Sequence, residues 1–221
     1  MNLDIAIHKH FSFDLWLTLI KSNPEFKSRR NLLFKDYFQV ESKIEKVNEV
    51  VRYYDVLCNN INEKVGLNFD TFEIYYLILN ALEVNLEKIE KSKLLDFYNE
   101  TELLFMKFKP ELIYPNVHSL FKDIKEDGKT INITSNTGFI RGLTLSKLLN
   151  FYELNNYFSF QIYSDEVGFS KPNKEIFNLV FDSINKITTI EKKEILHIGD
   201  NIIADYNGAI NFGFDAFLIK N

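Results

Sequence analysis

The chain has 221 residues, 46% of them hydrophobic, and a net charge of −5 at pH 7. This length suits a core domain with a second domain inserted in it, and the acidic balance gives no support to nucleic-acid binding, which usually needs a basic face. The sequence shows no signal-peptide pattern and no apolar run near the ~20 residues of a membrane helix. Cys58 is its one cysteine, which favours a reducing compartment. Together these features predict a cytoplasmic protein without a membrane partner.

The first apolar run, HFSFDLW at residues 10–16, predicts a strand that leads into an acid, Asp14. An ionised carboxylate is costly to desolvate unless another group compensates it. Asp14 therefore indicates a site where a cation meets the end of this strand.

A helical pattern fills the segment from about residue 25 to residue 107. Apolar residues recur there at three- and four-residue spacing, as in Ile44, Val47, Val51 and Tyr54. Asp70, followed by Glu73, indicates the start of a helix inside this segment. We find no convincing strand pattern in it.

The rest of the chain alternates short apolar runs with helical patterns. Strands are predicted in TINITSN, FSFQIYS, EILHIGD and DAFLIK, and helices at 116–125, 138–151, 172–185 and 202–211. Pro172 suits the first turn of its helix, where a missing N–H costs nothing. Such alternation is typical of a parallel sheet with helices on both faces. The expected fold class is therefore α/β, with an all-helical domain inserted after the first strand.

Reactive residue types follow three of the predicted strands: Asp14, Ser135 with Asn136, and Asp200. In open parallel sheets, ligands bind outside the carboxyl ends of the strands, so these side chains should converge there. Lys171 can join them from a loop. A pair of carboxylates with a hydroxyl, an amide and an ammonium suits a phosphoryl group and a divalent metal.

The chemistry of each residue type fits this hypothesis. Asp14 can attack phosphorus and form an aspartyl-phosphate. Asp14 and Asp200 can hold Mg²⁺, which prefers a few carboxylates together with waters and substrate oxygens. Ser135 and Lys171 can donate to the equatorial phosphoryl oxygens, over which the transition state spreads its charge.

In order and spacing, these residues resemble the four motifs of the haloacid dehalogenase-like hydrolase superfamily. Asp14 with Thr18 is similar to the first motif, Ser135 in ITSN to the second, Lys171 to the third, and GDNIIAD at 199–205 to the acidic fourth. The resemblance implies a Rossmann-like three-layer α/β/α core with a mainly parallel sheet at residues 1–20 and 109–221. It also implies that the all-helical domain, residues 21–108, is a cap over the site.

The resemblance implies a role for each site residue. The catalytic set is Asp14, Thr18, Ser135 and Lys171; the substrate contacts are Ser135, Asn136 and Lys171; the metal contacts are Asp14, Trp16, Asp200 and Asp205. Trp16 would contribute its backbone carbonyl. For Asp205 we favour orienting Lys171 or a metal-bound water over direct ligation.

One position departs from the family pattern. Most phosphatases of the family have a second aspartate two residues after the nucleophile, and here that residue is Trp16. A positioned acid–base group contributes about 10²–10⁴-fold to the rate. The dehalogenase branch carries an aromatic residue at this position, but it lacks the metal and the acidic fourth motif. Asp200 and Asp205 therefore favour metal-dependent phosphoryl chemistry.

Other residues have a plainer interpretation beside the functional one. Ser135 and Asn136 could cap the helix that follows them, and we weigh capping and function evenly. Arg29 and Arg30 fall where the dehalogenase branch places a halide-binding arginine, but the lysines around them favour a solvated helix face. We interpret His197 as a packed strand residue.

The resulting hypothesis is a Mg²⁺-dependent hydrolase that acts on a small phosphorylated molecule through an aspartyl-phosphate on Asp14. Two alternatives stay open. One is hydrolysis of a carbon–halide bond, as in 2-haloacid dehalogenases. The other is a catalytically weakened member of the family that binds a phosphorylated ligand or partner.

Overall fold

The computed structural model describes residues 6–219. Its strands are β1 (His10–Phe13), β2 (Ile20–Lys21), β3 (Glu111–Leu112), β4 (Thr130–Ser135), β5 (Phe158–Tyr163), β6 (Ile195–Gly199) and β7 (Asp215–Leu218). Its helices are α1 (Pro24–Tyr37), α2 (Ile44–Val65), α3 (Thr71–Ala81), α4 (Lys91–Lys107), α5 (Val117–Glu126), α6 (Gly142–Phe151), α7 (Ser164–Val167), α8 (Lys174–Asn185) and α9 (Gly208–Phe212). Within residues 6–219, no helix combines the length and the apolar character needed to cross a membrane.

The main sheet has five parallel strands in the order β5-β4-β1-β6-β7. From β1 the chain builds outward through β4 to β5, and then returns to the other side of β1 for β6 and β7. The strand order therefore reverses between β1 and β6. Ligands of such sheets bind outside the carboxyl ends of the strands at this kind of switch. The predicted α/β class with a parallel sheet is confirmed.

Helices cover both faces of this sheet. On one face, Phe11 and Ile133 lie in a core that also contains Phe121 of α5 and Leu145 of α6. A separate core on the other side contains Phe177 of α8, with side chains from β5 and β6. These three layers give the predicted α/β/α arrangement.

The helices α1 to α4 form a block with a core of its own. Phe34, Val47, Tyr75 and Phe97 belong to this core. Asp70 and Glu73 form a capping box at the start of α3, which confirms the predicted helix start. The short strands β2 and β3 pair antiparallel where the chain enters and leaves the block.

The loop between α2 and α3 lies directly on the loop that carries Lys171. The carbonyl oxygen of Gly66 accepts from the backbone N–H of Ser170 (3.1 Å) and from Nδ2 of Asn173 (2.9 Å). Gly66 has φ +74°, and a Cβ on it would lie 2.8 Å from Cβ of Asn173, so glycine is required there. The helical block is thereby fixed against the Lys171 loop.

Three predicted helix boundaries differ from the structure. Pro172 lies before α8 because Asn173 caps this helix by accepting from the N–H of Glu175, so the first-turn prediction for Pro172 is wrong. The helix predicted from residue 138 begins at Gly142. The helix predicted over 202–211 is a π-helical turn (Ile202–Asn207) followed by α9. The division into residues 1–20 with 109–221 and 21–108 stays a prediction.

Candidate active site

Three carboxylates meet at the switch between β1 and β6. Asp14 directly follows β1, Asp200 directly follows β6, and Asp205 lies in the π-helical turn. One oxygen of each lies within 4.8 Å of the others. The N–H of Asp14 donates to the carbonyl of Ile198 (2.8 Å), which holds this residue beside β6. A Cβ on Gly199 would lie 2.2 Å from Cγ of Asp205, so glycine makes room for this carboxylate.

The ammonium of Lys171 links the acids of two motifs. It donates to Oδ1 of Asp14 (2.8 Å), to Oδ1 of Asp205 (2.6 Å) and to the carbonyl of Thr134 (2.7 Å). Its side chain is only 1% exposed. The three donors of the ammonium are thus all used, and its position is fixed by both carboxylates.

Asn136 holds the backbone of Lys171 from both sides. Its Oδ1 accepts from the N–H of Lys171 (2.7 Å), and its Nδ2 donates to the carbonyl of Lys171 (3.0 Å). The helix after this residue begins at Gly142 with Arg141 as its N-cap, so the alternative in which Ser135 and Asn136 cap that helix is wrong. The sequence carries no signal for this positioning of Lys171 by Asn136.

Burial and the neighbouring charges shift the pKa values of the three acids. Burial raises the pKa of Asp14 to about 7; Lys171 opposes this rise, and the charge of Asp205 adds to it. Burial also acts on Asp205, but Lys171 and His197 outweigh it and hold the pKa of Asp205 well below its usual range. Burial and Asp205 together raise the pKa of Asp200. Asp14 and Asp200 are therefore the acids of this cluster whose charged forms a further cation would stabilise.

The donor set of the cluster fits a divalent cation. When all three acids are ionised, three carboxylates against one ammonium leave two negative charges, and buried charges require compensation. Hard cations such as Mg²⁺ prefer oxygen ligands of this kind. Asp14, Asp200 and Asp205 supply these oxygens, and Trp16, the residue predicted to add its carbonyl, lines the same cavity.

A cavity of about 410 Å³ lies between the strand ends and the helical block. Its floor contains Asp14 and Lys171, while Asp55 and Glu63 of α2 line its other side. Nδ2 of Asn201 donates to Oε2 of Glu63 (2.8 Å), which joins the two sides at the rim. The cavity is thus a polar space for a small ligand.

Trp16 forms part of the cavity wall. Its ring packs edge-to-face on Phe105 of α4, with ring centroids 6.4 Å apart, and the residue is half-buried. An indole has one N–H donor and no acidic proton in the physiological range. Trp16 therefore supplies shape and apolar contact at a position next to the acids.

Arg30 corrects the interpretation of its helix face as solvated. It is 7% exposed, lines the cavity, and stacks 4.3 Å from the ring centroid of Phe139. Its Nε and Nη2 donate to Oδ1 of Asn31 (3.2 and 3.0 Å). The charge of Asp55 also acts on Arg30, but Asp55 forms its ion pair with Arg52.

The neighbouring Arg29 matches the solvated interpretation. It is exposed and pairs with Glu25 one turn earlier on α1 at 2.7 Å. The two adjacent arginines of α1 therefore differ in surroundings, and Arg30 is the one that faces the site.

Two residues of the predicted site are more deeply buried than a substrate contact requires. Ser135 is fully buried, and its hydroxyl donates to the carbonyl of Asn136 (3.1 Å). Among the described residues that line the cavity, Asn136 is present and Ser135 is not. Thr18 is also fully buried, and its hydroxyl has no hydrogen-bond partner within residues 6–219. The roles of Ser135 and Thr18 stay predictions.

Comparison with known proteins matches a family over most of the chain and curated relatives over about half of it. A family model described as haloacid dehalogenase-like hydrolase matches residues 8–213. A glyceraldehyde 3-phosphate phosphatase of Methanothermobacter thermautotrophicus is 28% identical over 110 residues, which cover 49% of this chain and 45% of the relative. A pyrimidine 5'-nucleotidase of Escherichia coli is 29% identical over 99 residues, covering 45% and 41%. The chain thus spans less than half the length of these curated relatives.

A solved structure shares the fold over almost the whole chain. The HAD-hydrolase YfnB from Bacillus subtilis, determined with bound magnesium, superposes with a TM-score of 0.67 at 20% identity. The match covers 96% of this chain and 88% of that one. At this identity the likeness establishes the architecture alone.

Proposed function

The chain belongs to the haloacid dehalogenase-like hydrolase family, and on that premise we propose that it is a Mg²⁺-dependent phosphatase. It transfers the phosphoryl group of a small phosphorylated molecule to Asp14 and then to water. The observation that carries the proposal is the set of three carboxylates around the buried ammonium of Lys171, at the floor of a cavity.

In the first step, Asp14 is the nucleophile. Its Oδ1 accepts from Lys171, and the carboxylate attacks phosphorus while the bond from phosphorus to the leaving oxygen breaks. The electron pair of that bond goes to the leaving group. Lys171, held by Asp205 at 2.6 Å, balances part of the negative charge that the phosphoryl oxygens carry in the transition state.

In the second step, water attacks the phosphorus of the aspartyl-phosphate while the bond from phosphorus to the Asp14 oxygen breaks. The electron pair of that bond restores the Asp14 carboxylate, and the released phosphate and the solvent take up the protons of the water. This step normally uses an acid–base group two residues after the nucleophile, where this chain has Trp16. Because the indole cannot accept the proton of the water, hydrolysis of the aspartyl-phosphate is the slow step. The protein therefore accumulates phosphorylated Asp14 during turnover.

Asp14 and Asp200 would hold Mg²⁺, with the carbonyl of Trp16 as a further contact and with Asp205 orienting Lys171 or a metal-bound water beside them. Bound at these carboxylates, the ion would neutralise charge on the phosphoryl oxygens. It would also reduce the repulsion between the phosphate and the Asp14 carboxylate that attacks it. The role of Asp205 includes the hydrogen bond to Lys171, which supports the expected orienting function.

The cavity supports a small anionic substrate. Its volume of about 410 Å³ suits a small molecule, and Lys27 and Arg30 on its helical side offer positive charge to an anionic ligand. The names of the two curated relatives, a phosphatase for glyceraldehyde 3-phosphate and a nucleotidase, support a small phosphorylated substrate. In this proposal residues 21–108 form the cap, and residues 1–20 with 109–221 form the core.

The direct test is hydrolysis of 4-nitrophenyl phosphate by the purified chain, with Mg²⁺ and with a chelator. Activity should require the ion and disappear in Asp14→Asn. Asp96→Asn, which changes an exposed acid of α4, is the matched control and should behave as the native chain. Activity that persists with the chelator, or in Asp14→Asn, contradicts the proposal.

Two other functions each have an observation in their favour. Arg30 in the cavity favours carbon–halide hydrolysis, because a buried guanidinium can hold a leaving halide. Trp16 favours a weakened member that binds a phosphorylated ligand without turning it over. Chloride release from 2-chloropropionate without a metal would support the former. Tight phosphate binding with no product from a panel of phosphate esters would support the latter.

A further inference from the structure

A buried row of polar side chains lies behind the acids, on the face of the sheet that α8 covers. Strands β1, β4 and β6 carry it at alternate positions, and the parallel register places Ser12 beside Asn132 on one side and His197 on the other. Ser12, Asn132 and His197 have no exposed surface. Phe177 of α8 packs edge-on against the His197 ring, with centroids 5.3 Å apart.

The row is joined by six hydrogen bonds that end at the active-site acid Asp205. In order, they are Thr130 Oγ1 to His10 Nδ1 (2.8 Å), His10 Nε2 to Asn132 Oδ1 (2.9 Å), Asn132 Nδ2 to Thr134 Oγ1 (2.8 Å), Thr134 Oγ1 to Ser12 Oγ (3.2 Å), Ser12 Oγ to His197 Nδ1 (3.0 Å) and His197 Nε2 to Asp205 Oδ1 (3.1 Å).

Asp205 sets the direction of the bonds from Thr134 onward, and the amide of Asn132 sets the direction of the others. An ionised carboxylate only accepts, so Nε2 of His197 donates to Asp205. The other ring nitrogen of the neutral imidazole then accepts from the hydroxyl of Ser12. Ser12 in turn accepts from Thr134, whose oxygen accepts from the amide of Asn132. All six bonds agree with this single direction of donation.

The row orients groups and does not conduct protons. A relay needs each member to accept a proton and pass one on, and the amide of Asn132 cannot do this near neutral pH. Burial lowers the pKa of His10 to about 4, and it also lowers the pKa of His197 against the opposing effect of Asp205. Burial therefore favours the neutral form of both rings.

We propose that His197 is a positioning residue: Asp205 and Ser12 together keep it in the form protonated at Nε2, and in that form it holds the Asp205 carboxylate that orients Lys171 beside Asp14. Oδ1 of Asp205 accepts from His197 (3.1 Å) and Lys171 (2.6 Å), and Oδ2 accepts from the N–H of Asn201 (3.0 Å). These three donors leave the carboxylate one orientation.

The form of the His197 ring and the position of Lys171 can be measured without a metal or a substrate. Only the effect on kcat rests on the proposed function. The first measurement is nitrogen NMR of the histidine rings, with His197 assigned through His197→Gln. The native chain should show His197 protonated at Nε2 and unprotonated at Nδ1. In Ser12→Ala, where Nδ1 loses its donor, the ring should no longer hold this single form. A native ring protonated at Nδ1, or an unchanged ring in Ser12→Ala, overturns the proposal.

The second measurement is the exchange of the Lys171 ammonium protons with water, observed in the same spectra. His197→Leu removes the donor to Asp205, whereas His197→Gln keeps an amide N–H near the same place. Ammonium exchange should become at least about tenfold faster in the Leu variant and return toward the native rate in the Gln variant. The kcat values should follow the same order. This size is expected because residues behind a site typically change activity about 10–100-fold.

His10→Leu is the matched control, because His10 is an equally buried strand histidine that does not touch Asp205. It should lower the melting temperature and leave Lys171 exchange within about threefold of native. If His197→Leu does not fold, Ser12→Ala carries the same comparison. Equal exchange in folded Leu and Gln variants, or in native and Ser12→Ala, shows that the residue is only structural. A confirmed ring form and slow exchange without any phosphatase activity would instead refute the proposed function and leave the positioning role intact.

Discussion

Nζ of Lys171 lies 2.6 Å from Oδ1 of Asp205 and 2.8 Å from Oδ1 of Asp14. One ammonium thus fixes the distance between an acid after β1 and an acid after β6, although these residues are far apart in the chain. Since both carboxylates are almost fully buried, the ammonium is part of the fold as well as of the site.

We expect Lys171→Met to destabilise the chain by about 3–5 kcal/mol, because it leaves two buried carboxylates without their counter-charge. Lys174→Met, which changes an exposed lysine three residues later, should alter stability by less than about 0.5 kcal/mol. Urea unfolding of the two variants measures both values. A Lys171→Met protein as stable as the native one would show that the acids are neutral without the lysine.

The pKa of Asp14, raised from 3.8 to about 7 mainly by burial, predicts two effects of pH. The folded chain holds this proton more tightly than the unfolded chain, so the metal-free protein should lose stability as the pH rises from 3.8 to about 7. Mg²⁺ binding displaces the same proton, so Mg²⁺ affinity should rise by up to about tenfold per pH unit below 7. Calorimetry at pH 5.5 and pH 7.5 measures the affinity. In Asp14→Asn the pH dependence should flatten, and a native affinity independent of pH would contradict the assignment.

Without an acid at position 16, the enzyme should prefer substrates whose leaving groups depart unprotonated. We expect kcat/KM for an aryl phosphate to exceed that for an alkyl phosphate, and a burst of product before a slow steady state. Trp16→Asp should speed alkyl phosphate hydrolysis, provided that the loss of contact with Phe105 leaves the wall in place. Equal kcat/KM values for the two esters in the native chain would mean that another residue supplies the proton.

Arg30 should bind a second acidic group of the substrate. Hydrogen bonds to charged groups contribute about 1.5–3 kcal/mol, so Arg30→Gln should raise KM for 4-carboxyphenyl phosphate about 10- to 100-fold. KM for phenyl phosphate, which lacks the second acid, should change little. Arg29→Gln is the control and should affect neither KM. Equal changes for both esters would assign Arg30 to the structure of the cavity alone.

The motif residues could be predicted from the sequence because their position depends on local order. Asp14 and Asp200 each follow an apolar run, and a parallel sheet brings the ends of such runs to one edge. The helical block could be placed for the same reason, since its pattern interrupts a clear alternation of strands and helices.

The surroundings of Arg30 and His197 could not be predicted in this way. Burial of Arg30 depends on its stacking against Phe139, which lies more than a hundred residues later. In TINITS the polar and apolar residues alternate, a pattern typical of a strand with one solvated face. In the fold the polar face is buried, and its side chains satisfy one another across three strands. Only the strand order shows which residues meet.

The central claim is a phosphorylated Asp14, and chemical trapping of that intermediate tests it most directly. The native chain is mixed with Mg²⁺ and an aryl phosphate and quenched in acid during the burst, and mass spectrometry then locates the phosphate on the peptide. Because Trp16 slows the second step, we expect near-stoichiometric label on Asp14 and none in Asp14→Asn. Steady turnover with no labelled peptide, or with the label on another residue, would contradict the account.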